Sequence, residues 1–392
     1  MNIVLINGGR GATSLINYLT KSKKNNIYSV VNAYDDGKST GTIREFFNIL
    51  GPSDIRKVQS LFLDKDNKHY KNYKKFFEYR FSSSISNAEA KVEINKIINL
   101  KNNKIINLIK IEKNKQNKIV KFLKIFIEEV KKYEKSKKIL FNFTDCSIIN
   151  CLYAGSIINY KKDISKAINI VSKIFDIRHK VLVNSNSERF LYAIRSNGRI
   201  LESEKEIVEI RSNHSIDEIY LLKNKISSTI IDNKSIKFKK KYLNNLHSPP
   251  LFNPKIKQIF KKASFIIFCP GTQHSSLYPT YLTKGFLKVL LVSKAKKIYI
   301  TNIGADYETP FYKASDYVFG AIKYLNKNNS TNIDKIFDLL MINNPKKFNK
   351  NYVELDKDKL INLKTNLIIK NFENFKKNGY HDAIKIFRYL NI

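Results

Sequence analysis

Five short apolar runs constrain this chain more than anything else in it. Each ends in a polar or glycine-rich cluster and gives way to a helical pattern. Ile3–Ile6 breaks into Asn7-Gly8-Gly9-Arg10-Gly11, and Ile27–Ala33 ends at Asp35-Asp36-Gly37. Ile139–Phe143 ends at Thr144-Asp145, Phe265–Cys269 at Pro270-Gly271-Thr272, and Lys297–Thr301 at Asn302-Ile303-Gly304. Strands alternating with helices predict a parallel sheet covered on both faces. In such sheets ligands sit beyond the carboxyl ends of the strands, where all of these clusters fall.

The first cluster carries the most chemistry. Glycines at 8, 9 and 11 let main-chain N–H groups converge with no side chain in the way. A helix starting near Leu15 adds its positive end, so the loop suits a phosphate or diphosphate. Gly9-x-Gly11-x-x-Ser14 differs from the dinucleotide fingerprint in its last residue, and no Gly-Lys-Ser/Thr follows as in a P-loop. The same residues also serve a plain strand–helix turn with no ligand.

The second cluster pairs two carboxylates at a strand end, Asp35 and Asp36, ahead of Gly37, Ser39 and Gly41. Neighbours on a strand point to opposite sides. One carboxylate is therefore suited to a ribose hydroxyl or base edge, the other to Mg²⁺ bridging a diphosphate. Arg44 and Arg56 are placed to offset ligand charge, and Asp54 stands between them. Capping of the next helix explains one of these aspartates without any ligand.

Charge points elsewhere at first sight. Lys+Arg number 71 against 34 Asp+Glu, a net +37 over 392 residues. The basic residues are mostly lysine and spread along the whole chain. No zinc-finger spacing or aromatic RNA-binding motif accompanies them. They read as a solvated surface that attracts anionic metabolites, without a specific nucleic-acid partner. Cys146, Cys151 and Cys269 form no CxxC pair, which fits a reduced, cytoplasmic protein. The apolar start is too short for a signal peptide, and no run approaches the roughly 20 residues of a membrane span.

Two stretches break the alternation. Residues 84–138 read as a helical excursion with a lysine face. Residues 180–245 read as a β-rich subregion of short antiparallel strands, with Val181–Val183, Arg189–Ile194, Ile207–Ile210 and Ile216–Leu222 as candidates and a turn at Asn197-Gly198. Tyr34 is a candidate for stacking on a base, and His274 for donating a proton.

Taken in order, these motifs resemble the 2-phospho-L-lactate transferase (CofD) family, and most of all its gluconeogenesis-factor (YvcK-like) branch. The matching segments are Gly8-Gly9-Arg10-Gly11, Asp35 to Gly41, Pro52-Ser53-Asp54-Ile55-Arg56, Phe77 to Phe81 and Cys269-Pro270-Gly271-Thr272. Pro279, Gly285, Asn302, Ser315-Asp316-Tyr317-Val318 and His381-Asp382 follow. Asn7, Lys38, Ser53 and Tyr317 depart from the family pattern, and Cys146 to Asn150 keeps only Ser147 and Asn150 of one element.

The resemblance implies a single three-layer α/β/α Rossmann-like domain, mostly parallel, with the β-rich subregion and the helical insertion built in. It implies a nucleoside-diphosphate-activated metabolite or UDP-sugar as ligand. Either a phospho-linked group is transferred with Mg²⁺, or the ligand is bound by a regulator without turnover. Asp35 and Asp36 would be the catalytic pair, with Asp36 on the metal. Gly8, Gly9, Arg10, Gly11, Ser39, Gly41, Arg44, Asp54, Arg56, Asn150, Gly271, Thr272 and Asn302 would hold the nucleotide. A homodimer is left open as the assembly.

Overall fold

The computed structural model describes residues 1–327, 331–346 and 351–392. Its main sheet is built from β1 (Asn2–Ile6), β2 (Asn26–Val31), β3 (Lys180–Val183) and, after three strands of a second sheet, β7 (Phe265–Phe268), β8 (Lys296–Ile300), β9 (Leu339–Asn343) and β10 (Asn366–Lys370). The order across the sheet is β10-β9-β8-β7-β1-β2-β3, and every pairing is parallel. Ile3 to Ile6 are fully buried, as expected of a strand covered on both faces. With its flanking helices the sheet forms three layers.

This order contains a switch point. The chain leaves β1 toward β2 on one side, and β7 leads toward β8 on the other. The loops after β1 and β7 therefore diverge, and a crevice opens between them.

Between β2 and β3 lie α1 to α8 but one. Here α1 (Thr13–Leu19) follows β1, and α2 (Lys38–Phe47), α3 (Ser53–Leu61), α4 (Tyr70–Glu78), α5 (Asn87–Ile98), α6 (Lys113–Lys137), α7 (Ile148–Asn159) and α8 (Ile164–Ile174) follow β2. A capping box starts α5: Ser86 Oγ accepts the Glu89 N–H, and Glu89 accepts the Ser86 N–H. In α6 the buried residues Ile119, Phe122, Leu123, Phe126, Ile127 and Val130 recur at three- and four-residue spacing. They pack on α7, which is buried from Ile148 to Ile157. At Gly155 the two backbones meet, since a Cβ there would lie 1.9 Å from the Phe122 carbonyl oxygen.

The segment Ile139–Phe143 is not a strand. Its aromatic side chains pack among other rings, Phe141 and Phe143 being buried while Ile139 and Leu140 are exposed. The N–H groups of Phe141 and Phe143 go to side chains, Glu134 at 3.1 Å and Asn87 at 3.4 Å. Val181–Val183 belongs to β3, paired parallel with β2, and not to the antiparallel subregion. Ile207–Ile210 is not a strand either. Most of it lies in α9 (Glu204–Glu209), started by Ser203, whose Oγ accepts the Glu206 N–H at 3.1 Å.

The second sheet has β4 (Phe190–Arg195) between β5 (Ile200–Leu201) and β6 (Ile216–Leu222), all antiparallel. Gly198 makes its tight turn at φ +82°. A last hairpin, β11 (Glu373–Asn374) with β12 (Lys377–His381), closes over the main sheet's carboxyl edge near Gly304.

Candidate ligand cleft at the strand ends

The glycine loop is held open by contacts on three sides. A Cβ on Gly11 would lie 2.4 Å from the Pro270 carbonyl oxygen, so the loops after β1 and β7 touch as bare backbone. A Cβ on Gly9 would meet Lys57 Cδ at 2.3 Å and Asp54 Oδ1 at 2.6 Å, and one on Gly8 would meet Ser276. Upstream, Asn7 is buried and fixes the strand exit: its Nδ2 donates to the Gly8 carbonyl and its Oδ1 accepts from Ser29 Oγ.

These loops border a cleft of about 1000 Å³. It gathers Gly8, Gly9, Arg10, Gly11, Asp35, Asp54, Arg56, Gly271, Thr272 and Asn302. Segments far apart in the chain thus share one rim, as the alternation of strands and loops predicts. Asn302 clamps Gly271 from both sides, accepting its N–H at 2.8 Å and donating to its carbonyl at 3.0 Å. Thr272 Oγ1 meets Ser276 Oγ at 2.9 Å.

Other expected site residues lie elsewhere. Asp36 and Gly41 border a second cleft of about 910 Å³ on the other side of the 35–41 segment, and Asp36 accepts the Lys205 N–H at 2.9 Å. Arg44 also turns that way, and its two terminal nitrogens are held by structure while its Nε has no hydrogen-bond partner among the described residues. It donates to the carbonyls of Tyr34 (2.6 Å) and Arg189 (2.8 Å) and pairs with Glu188. Ser39 and Asn150 are buried against each other, Asn150 Nδ2 donating to Ser39 Oγ at 3.2 Å. Tyr34 is fully buried and offers no face to a base. His274 is buried too, and burial pushes its imidazole down to about 3, so it is neutral and not a proton donor at ordinary pH.

Electrostatics single out Arg56. It is 6 % exposed and lines the cleft, and its guanidinium makes no hydrogen bond or close ion pair among the described residues, Asp35 and Asp54 acting on it only from a distance. Burial, with the neighbouring Arg80 adding to it, pulls its guanidinium down to about 10. Facing it is a shared pair: Lys57 Nζ lies 2.9 Å from Asp54 Oδ1 and 3.4 Å from Asp35 Oδ2. Burial works against the Lys57 charge, but these two carboxylates outweigh it and raise its affinity for the proton. Glu204 also lines the cleft. Burial, reinforced by Asp35, Asp36 and Asp54, holds its carboxyl well above the usual range.

Lys57, Arg80 and Glu204 were not among the expected residues. Arg80 falls inside the matching segment Phe77 to Phe81, which was a usable signal. Lys57 is one lysine in a lysine-rich chain, and Glu204 lies in a stretch that reads as strands.

Mg²⁺ does not fit where the motif places it. Asp36 faces the other cleft, and the two aspartates of the first cleft already share the Lys57 ammonium. No cluster of three or more His, Cys, Asp or Glu side chains among the described residues is arranged to hold a metal.

The turn after β7 rests on Glu308, which is 2 % exposed and accepts the N–H groups of His274 (2.9 Å) and Ser275 (3.0 Å). Burial, with Asp306 close by, pushes its carboxyl up to about 8. Above the ordinary carboxyl range the folded chain therefore keeps a proton that the unfolded chain has released. Stability falls as pH rises through about 8. Glu308→Gln is expected to remove up to ~1.4 kcal/mol per pH unit of that slope. Urea denaturation of both proteins from about pH 5 to about pH 9 measures it, and parallel profiles would reject the assignment.

Comparison with known proteins bears on the family and the fold. The family model described as 2-phospho-L-lactate transferase CofD matches residues 3–379. The gluconeogenesis factor of Listeria innocua is 24 % identical over 317 residues, covering 81 % of this chain and 71 % of that protein. The putative gluconeogenesis factor of Thermotoga maritima is 23 % identical over 337 residues, covering 84 % and 76 %. A crystal structure of a UPF0052 family member from Bacillus halodurans superposes with a TM-score of 0.67 at 19 % identity, covering 100 % of this chain and 99 % of that one. No helix among the described residues is long and apolar enough to cross a membrane. The chain belongs to the 2-phospho-L-lactate transferase CofD family.

Proposed function

We propose that the cleft binds a metabolite activated by a nucleoside diphosphate, a UDP-sugar being one such ligand, with the diphosphate against the 8–11 loop and Arg56. The buried guanidinium of Arg56, which hydrogen-bonds no side chain among the described residues, carries this reading. A cation withdrawn from water without a partner is costly, and an anionic ligand would supply the missing partner. Arg10 and Arg80 line the same cleft, and the three glycines leave main-chain donors uncovered. The cleft is at the large end of small-molecule sites, which suits a nucleotide carrying a second group. Kinship with gluconeogenesis factors supports a role in carbon metabolism.

Transfer of a phospho-linked group is the second reading. Asp35 favours it, because it lines the same cleft as Arg56. Calorimetry with UDP-N-acetylglucosamine, GDP and a short DNA duplex at two salt concentrations tests the first reading. Nucleotide binding that survives added salt, with DNA binding that fades, is expected. Salt-resistant DNA binding with none to either nucleotide rejects it. A single-turnover assay with labelled donor separates transfer from binding alone.

A further inference from the structure

We infer that Lys57 is the built-in cation of this site, doing what a divalent metal would do between the acidic pair and the ligand's diphosphate. This rests on the nucleotide reading above. A bridging metal needs carboxylate oxygens free to approach it closely. Here Asp54 and Asp35 are turned toward one ammonium at 2.9 Å and 3.4 Å. That ammonium stands where a metal shared by both aspartates would have to stand.

Lys57 also touches the glycine loop. A Cβ on Gly9 would lie 2.3 Å from Lys57 Cδ and 3.3 Å from its Nζ. The lysine stem thus runs along the bare backbone that would cradle the phosphates, and its charge reaches the same rim. Arg56, the next residue back on α3, faces the cleft beside it. One helix therefore presents two adjacent cations to the loop, one tied to the aspartates and one without a partner. A divalent ion added there would meet Lys57 at close range and be repelled.

The test uses the full chain and GDP or UDP-N-acetylglucosamine, titrated calorimetrically in excess EDTA and then in Mg²⁺. The wild-type dissociation constant is expected to change by less than about threefold between the two. Lys57→Gln is expected to weaken binding about tenfold or more in EDTA and to recover part of the loss in Mg²⁺, since the gap between Asp35 and Asp54 is then open. Lys57→Arg is expected to bind without metal. Wild-type binding that appears only with Mg²⁺ overturns this inference and leaves the nucleotide reading standing. So does a Lys57→Gln protein that binds as tightly as wild type in EDTA, because Lys57 then merely neutralises its neighbours. No binding of either nucleotide in either buffer overturns the nucleotide reading itself. Should Lys57→Gln fail to fold, the wild-type comparison decides alone.

Discussion

Arg56→Met is expected to make the ligand-free protein more stable and its nucleotide binding about thirtyfold weaker. Both effects have one cause. The residue is 6 % exposed, its Nε is cut off from water, and no side chain among the described residues hydrogen-bonds its guanidinium, although Asp35 and Asp54 attract it from a distance. Methionine keeps most of the stem's packing and removes the stranded charge. Replacing buried charge by apolar side chains of similar volume gains about 1–4 kcal/mol where packing is kept. The loss in binding is that of charge-assisted hydrogen bonds to an anion, about 2 kcal/mol, or thirtyfold. Urea denaturation and calorimetry on the same preparations read both. A variant that unfolds more easily and binds as wild type sinks the assignment, because Arg56 then serves only packing. Opposite signs for stability and affinity are what a site kept for function at the expense of the fold should show.

Gly155→Ala is expected to cost the largest stability of any single methyl added outside the cleft. Alanine favours a helix over glycine by up to ~1 kcal/mol. Against that stands a Cβ placed 1.9 Å from the Phe122 carbonyl oxygen and 3.2 Å from the Phe126 nitrogen. Both neighbours are backbone, so neither swings aside. The α6 and α7 axes must separate, disturbing the seam where Phe122 and Phe126 pack. Overpacking of this kind costs about 1–3 kcal/mol, towards the upper end where the clash is with backbone, so sterics win over propensity. The urea midpoint should fall while the dissociation constant of the folded variant stays unchanged, since neither helix lines the cleft. An unchanged or higher midpoint would show that the two helices tolerate separation.

Much of the fold was legible because parallel strands announce themselves. Their apolar runs end abruptly, and function-bearing loops collect at one edge. That logic brings segments 8–11, 35–41 and 270–272 to one rim, and the cleft gathers Gly8 to Gly11, Gly271 and Thr272, but of 35–41 it takes Asp35, Gly37 and Thr40 and leaves Asp36 and Gly41 to the other cleft. That logic did not decide which of Asp35 and Asp36 lines this cleft. Adjacent side chains leave the backbone in opposite directions, and only the packing of α2 and α9 sets which direction is the cleft. Ile139–Phe143 misled because a short apolar run also arises when a loop buries its aromatic side chains between helices. The strands Leu339–Asn343 and Asn366–Lys370 were left unassigned, although Leu339 to Ile342 is an unbroken apolar run. Lys57 was invisible for a statistical reason: where lysine is everywhere, one particular lysine carries no signal. Arg56 stood out by sequence, but its lack of a partner is a property of three dimensions.

The central position of β1 has a consequence for how this molecule is made. Ile3 pairs with Ile27 on one side and with Phe265 on the other. The first partner leaves the ribosome almost at once. The second arrives only after most of the polypeptide has been translated, on the order of ten seconds or more later at 5–20 residues per second. Through that interval the strand keeps one edge of unpaired main-chain N–H and C=O groups between apolar faces, the kind of edge that recruits strangers. A nascent chain stalled before residue 265 is therefore a natural client for whatever shields unfinished proteins in the cell.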